Sequence, residues 1–259
     1  MHELPLVLFT VLSQIAVGGL LYIHWQDKKE NNAPVQVGLG FVTLVALISI
    51  IASLFHLGDP LGAYRSIYHL SSSWLSREVL LIGGFFVAVA LYLLGQISEA
   101  VGRGNAVFGA VACVLGVLGV FSAANIYTLP AYPAWDSPLT MGMFFMTVLA
   151  GGLAFGMMCL AHSQASSYTQ NNVLIVLLII NAIFAVLFVT GGGEYVQNAT
   201  MLLGAKIVVG VLLPILLLLM SKKSPSQYIN YVFLLVLVGE LIGRIMFYDC
   251  SVPLGMPNF

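Results

Sequence analysis

Eight apolar runs, each long enough to cross a bilayer, constrain this chain more than any other feature. A span needs about 20 predominantly apolar residues, and a helix satisfies every backbone N–H and C=O within itself. The runs lie at about 5–25, 35–56, 74–95, 105–125, 138–161, 173–193, 202–220 and 228–248, read at that length. Their connections leave no room for a soluble domain. The expected fold is an all-α integral membrane protein, a bundle of eight transmembrane helices forming a single domain over 1–259. Only 7% of the residues are charged and 60% are hydrophobic, where a soluble domain carries about 25% charged residues. No Lys or Arg precedes the first run and no small-residue cleavage pattern follows it, so it is expected to stay as a helix.

Basic residues in the connections set the orientation. Lys28, Lys29, Arg103, Lys222 and Lys223 fall after odd-numbered spans, whereas Arg65, Arg77 and Lys206 fall on the other side. The first set is expected in the cytoplasm, which places both termini outside. A net charge of −1 gives no reason to expect nucleic acid. Cys113, Cys159 and Cys250 form no C-x-x-C pair, so neither zinc nor an iron–sulfur cluster is signalled; metal ligands: none. Gly18-Gly19, Gly83-Gly84 and Gly151-Gly152 are expected to let helices approach closely. Trp74 and Trp135 suit an outer aromatic belt and Trp25 an inner one.

Intramembrane ionisable residues are costly and mark function. Here they gather at the outer level: His56 closes the second span, Arg77 and Glu78 open the third, and Tyr127 ends the fourth. Lys206 lies one turn into the seventh. In "GELIGRIMFY", Glu240 and Arg244 lie roughly 18 and 24 Å from the inner end. Four residues apart, they share a face and can pair. Lys206 reads equally as a boundary residue, and Glu240 with Arg244 equally as a structural ion pair. Asp59-Pro60 reads as a helix start, and a short helix through "LGAYRSIYHL" puts Tyr64 and Tyr68 on one face.

A small-solute transporter would show polar groups at the midplane and at both gates. Gln14 and Asn181 are the main midplane polar residues, too few for such a path. Quinol oxidation fits better. It needs a hydrogen-bond acceptor that titrates near neutral pH, which histidine supplies, and an acid to relay the proton. His56 and Glu78 are the candidates. A haem needs two ligands at one depth; only His24 and His162 match, both at inner ends, so no haem is expected.

Five stretches carry a resemblance: "HELPLVLFT", "FHLGDPLGAYRSI", "SWLSREV", "NIYTLPAYPAWDSPLT" and "GELIGRIMFY". Together they resemble the DmsC-type anchor subunits of dimethyl sulfoxide reductase, a molybdenum oxidoreductase family, over nearly the whole chain. The resemblance implies eight helices with periplasmic termini in the bacterial inner membrane. It implies menaquinol as bound substrate and no haem or iron–sulfur cluster in this chain. It implies two partners, a four-cluster iron–sulfur subunit and a molybdopterin catalytic subunit, working in anaerobic respiration. By that match His56 and Glu78 are the quinol-binding pair, with Arg77, Tyr64, Glu240 and Arg244 lining or supporting the site. Arg65, Tyr68 and Trp135 are expected partner contacts. Asp59 departs from the pattern and bears on docking or on proton affinity. Rivals are a solute transporter and a purely mechanical anchor without a quinol site.

Overall fold

The computed structural model describes residues 3–29, 35–55, 60–98, 105–161, 168–221 and 227–255, and all regular structure among them is helical. The eight spans are α1 (Leu4–Lys29), α2 (Gln36–Leu54), α3 (Trp74–Ile97), α4 (Asn105–Tyr127), α5 (Pro138–Leu160), α6 (Tyr168–Gly191), α7 (Thr200–Met220) and α8 (Ile229–Asp249). Each is long and apolar enough to cross a membrane. Two short 3-10 helices, Pro60–Ile67 and Gly193–Ala199, lie in the connections before α3 and α7. Pro60 opens the first of them, as its fixed φ favours; Asp59 lies outside the described residues.

Helices α1 to α4 pack among themselves, as do α5 to α8, and the two halves meet where α1 crosses α5 and α8 and where α2 and α4 touch α5. Burial ranks the helices accordingly. The hydrophobic windows of α1 and α5 are 72% and 78% buried, against 28% for α2 and α7, which face outward with apolar side chains. One end of the bundle, the Leu4 end, holds the starts of α1, α3, α5 and α7 and the ends of α2, α4, α6 and α8. The opposite, Lys29 end holds the other eight termini.

Glycine explains how closely the halves meet. A Cβ on Gly152 would collide with the Cα of Gly18, so α1 and α5 touch backbone to backbone there. A second crossing joins α7 to α8, where a Cβ on Gly239 would collide with the Cα of Gly210. The Gly83-Gly84 pair marks no such crossing: space beside Gly83 is open and Gly84 would only touch a Leu115 methyl. Gly152→Ala is therefore expected to cost about 1–3 kcal/mol through overpacking. Gly83→Ala should stay within about 0.5 kcal/mol. Thermal unfolding of the two variants in detergent compares them directly.

Two helices are locally unwound by π turns, at Thr147–Gly151 in α5 and Val208–Leu212 in α7. The second has a chemical cause: Pro214 has no N–H for the carbonyl of Gly210 four residues earlier. Such insertions recur at functional sites, and both flank a buried polar cluster around Glu240. Cys159 is a buried packing residue and Cys113 packs at the edge of the core. Trp25 is exposed near the Lys29 end, with the Lys29 ammonium 5.2 Å from its ring, as suits an interfacial residue.

Candidate functional site at the Leu4 end

The loop before α3 is held by its own polar groups. Ser73 caps α3 by accepting from the Ser76 N–H at 3.3 Å. The Arg77 Nε donates to the Leu70 carbonyl at 2.8 Å and its terminal nitrogen to the Ser71 carbonyl at 2.6 Å. The guanidinium also lies 4.3 Å from the Trp74 ring. Arg77 thus fastens the loop at the start of α3. The next residue turns about 100° around the helix, and there Glu78 is buried, 5% exposed.

Tyr64 and Tyr68 do share a face, their rings 6.0 Å apart and edge-on, with the Arg65 guanidinium 5.7 Å from the Tyr64 ring. Both tyrosines are more than half exposed. They offer an outer surface at the Leu4 end. His56 lies outside the described residues.

Trp135, an expected partner contact, is 8% exposed and packs inward in this subunit. Its indole stacks on Phe247 at 5.1 Å and on Tyr132 at 5.0 Å, and its Nε1 donates to the Phe247 carbonyl at 2.8 Å. The Tyr127, Phe144 and Tyr248 rings complete this cluster, which pins the α4–α5 connection to α8. Within it the Tyr248 hydroxyl donates to the Tyr127 hydroxyl at 2.8 Å. Tyr248 also forms a wall of an open cavity of about 620 Å³ between the start of α1 and the end of α8, beside Glu3, Asp249 and Ser251.

Deeper in the bundle, five helices contribute to one polar cluster. Glu240 accepts from Asn181 Nδ2 at 2.5 Å, Thr147 Oγ1 at 2.6 Å and Lys206 Nζ at 3.0 Å. Lys206 is 3% exposed, so it is no boundary residue. Arg244 turns the other way: its guanidinium donates to Gln14 Oε1 at 2.7 Å and lies 3.8 Å from the Phe144 ring. Glu240 and Arg244 therefore share a helix face without forming the salt bridge that their spacing allows. The carboxylate pairs with α7, the guanidinium with α1 and α5. Gln14 and Asn181, the midplane residues, are drawn into this cluster. Thr147 joins it without a simple sequence signal, because a π turn presents it.

Near the Lys29 end, the Tyr92 hydroxyl donates to Asp27 at 2.5 Å and lies 3.2 Å from His24 Nδ1. Gln96 donates to the same Asp27 oxygen at 3.3 Å. His162, the other histidine expected at that depth, lies outside the described residues. Among the described residues, no three His, Cys, Asp or Glu side chains form a group able to hold a metal ion.

Known proteins share this sequence along nearly its full length. The chain is 29% identical to the C subunit of anaerobic dimethyl sulfoxide reductase from Haemophilus influenzae, over 99% of this chain and 97% of the relative. Two Escherichia coli K12 proteins, the YnfH and C subunits of anaerobic dimethyl sulfoxide reductase, are each 29% identical over 98% of this chain and 97% of their own length. The family model for the DMSO reductase anchor subunit (DmsC) matches residues 1–250. A helical chain with eight membrane-length spans, matched over almost all of its length, belongs to the DMSO reductase anchor subunit family.

Proposed function

We propose that this chain anchors an extrinsic reductase of the dimethyl sulfoxide reductase type to the bacterial inner membrane and oxidises menaquinol for it. The observation that carries the reading is Glu78. It is a carboxylate buried at the Leu4 end, in a chain of the anchor family, on the bundle half that the quinol motif "FHLGDP" enters. A buried acid within a membrane bundle is a costly feature kept for proton handling.

Charge supports a periplasmic Leu4 end. Lys28 and Lys29 stand at the other end, while Lys206 is buried in an ion pair. The basic surface charge at the Leu4 end is therefore smaller than a count of residues suggests. In this reading His56 accepts a proton from the quinol hydroxyl and Glu78 takes it onward. The two electrons leave for a four-cluster iron–sulfur subunit and then a molybdopterin subunit. The exposed Tyr64, Arg65 and Tyr68 surface is where the iron–sulfur subunit docks. Aromatic and arginine side chains are favoured at such contacts.

The test is a titration of membranes bearing the whole complex with a fluorescent quinol-site inhibitor, comparing wild type with His56→Ala. The variant should assemble, yet lose probe quenching and oxidise a menaquinol analogue about a hundredfold more slowly or worse. Normal binding and turnover would remove His56 from the site. Assembly without any quinol oxidation, in the wild type too, would leave a mechanical anchor.

A further inference from the structure

Glu240 and Arg244 lie one turn apart on the same face of α8, both buried, and yet form no direct ion pair. We propose that a single buried water molecule binds between them, accepting a hydrogen bond from Arg244 Nη1 and donating one to the Glu240 carboxylate. The two residues then make a water-separated ion pair, and the polar cluster closes across both halves of the bundle. The proposal stands on this cluster alone and is independent of the quinol reading.

Three observations carry it. First, the guanidinium is used unevenly. Arg244 is 3% exposed. Its Nη2 donates to Gln14 Oε1 at 2.7 Å and, more weakly, to Thr147 Oγ1 at 3.4 Å. Its Nη1 is just as buried and has no partner among the described residues. A charged donor left inside without an acceptor carries its full desolvation cost. An acceptor held against Nη1 removes that cost.

Second, there is room in the right place. Arg244, Glu240, Lys206, Asn181 and Thr147 line one cavity of about 10 Å³. That is about the free space that one water molecule needs, and too little for an organic ligand. The backbone leaves this space open. Thr147 begins the π turn of α5, Lys206 stands just before that of α7, and Gly243 presents no side chain toward Lys206.

Third, the wall suits water better than an anion. A buried water makes about three hydrogen bonds and both donates and accepts. Glu240 already accepts from Asn181, Thr147 and Lys206, and an ionised carboxylate has about four lone-pair sites. One site is therefore left for a water O–H. The Lys206 ammonium gives one N–H to Glu240 and has others to spare. Donors from Arg244 and Lys206 with one acceptor on Glu240 complete a water's shell. An anion would find the same donors but would face the carboxylate.

A cryo-EM map of the whole complex, fine enough to show buried waters elsewhere in it, tests this. One spherical peak is expected within about 2.7–3.2 Å of Arg244 Nη1 and about 2.5–3.0 Å of a Glu240 oxygen. No peak in such a map would overturn the bridge. So would a direct bond between Arg244 and Glu240. A peak that grows when chloride is exchanged for iodide would make the occupant an anion and overturn it as well. Gly243→Ala and Gly243→Ser give a second readout. A Cβ at this position lies 2.8 Å from Lys206 Nζ, so both side chains enter the cavity. Only the serine hydroxyl can replace the hydrogen bonds of a displaced water. The serine variant is expected to melt roughly 2–4 °C above the alanine variant. Alanine is the better helix former, so propensity works against that order. Equal midpoints, or alanine above serine, would mark a dry cavity and overturn the proposal. If neither variant assembles, the wild-type map decides alone.

Discussion

Glu78→Gln is expected to cut menaquinol oxidation by about a hundredfold or more while the subunit still folds and binds inhibitor. The amide matches the carboxyl in shape and reproduces its protonated state, which the proposed quinol cycle visits in every turnover. The buried surplus of one positive charge that the change creates is thus a state the bundle already tolerates. What glutamine cannot do is accept a proton. Glu78→Asp should retain partial turnover, because it keeps the acid and only shortens its reach. Steady-state oxidation of a menaquinol analogue, normalised to assembled complex, separates the three chains. Equal rates for wild type and the glutamine variant would move the acceptor elsewhere and leave Glu78 as a buried structural group.

The helices are legible in the sequence because the bilayer imposes one length and one composition on each. All eight apolar runs overlap the observed helices, and the ends differ by a few residues, the sixth starting at Tyr168 rather than near residue 173. Two of the three glycine pairs mark real backbone contact or close packing, and the third does not, because a small residue permits a crossing without requiring one. Side-chain partners are harder to read. Lys206 looks like a boundary residue when its own helix is read alone. Its partner Glu240 comes from another helix 34 residues later, and only the α7–α8 crossing at Gly210 and Gly239 brings them together. Glu240 and Arg244 show the converse, since a spacing of four allows a pair but does not choose it. Lys206 on α7 and Gln14 on α1 offer each a better partner, and Thr147 bonds both. Trp135 misleads for a similar reason: a tryptophan at a span boundary suits an interface, but Phe247 supplies both a stacking face and a carbonyl acceptor.

Lys206→Met should destabilise the subunit by about 3–5 kcal/mol, because removing one partner of a buried pair strands the other charge. Glu240 would keep its hydrogen bonds from Thr147 and Asn181 but lose the cation that balances it. Glu240→Gln should cost a similar amount, since Lys206 and Arg244 would then face each other's field with only Glu78 left to offset them. The double variant Lys206→Met/Glu240→Gln should recover most of the loss. It removes one charge of each sign, and the amide oxygen can accept from Asn181 while its Nε2 donates to the Thr147 hydroxyl. Thermal unfolding of the detergent-solubilised complex gives the coupling energy as a double-mutant cycle. Turnover in the stable double variant should fall less than about tenfold, since the proposed proton acceptors are His56 and Glu78 rather than this pair, and loss of an acid–base group would cost more. A double variant that is as unstable as the sum of the singles would mean that the two charges act independently. One that is stable but inactive would place the pair in the proton path itself, with Arg244 as the link between the two halves of the bundle.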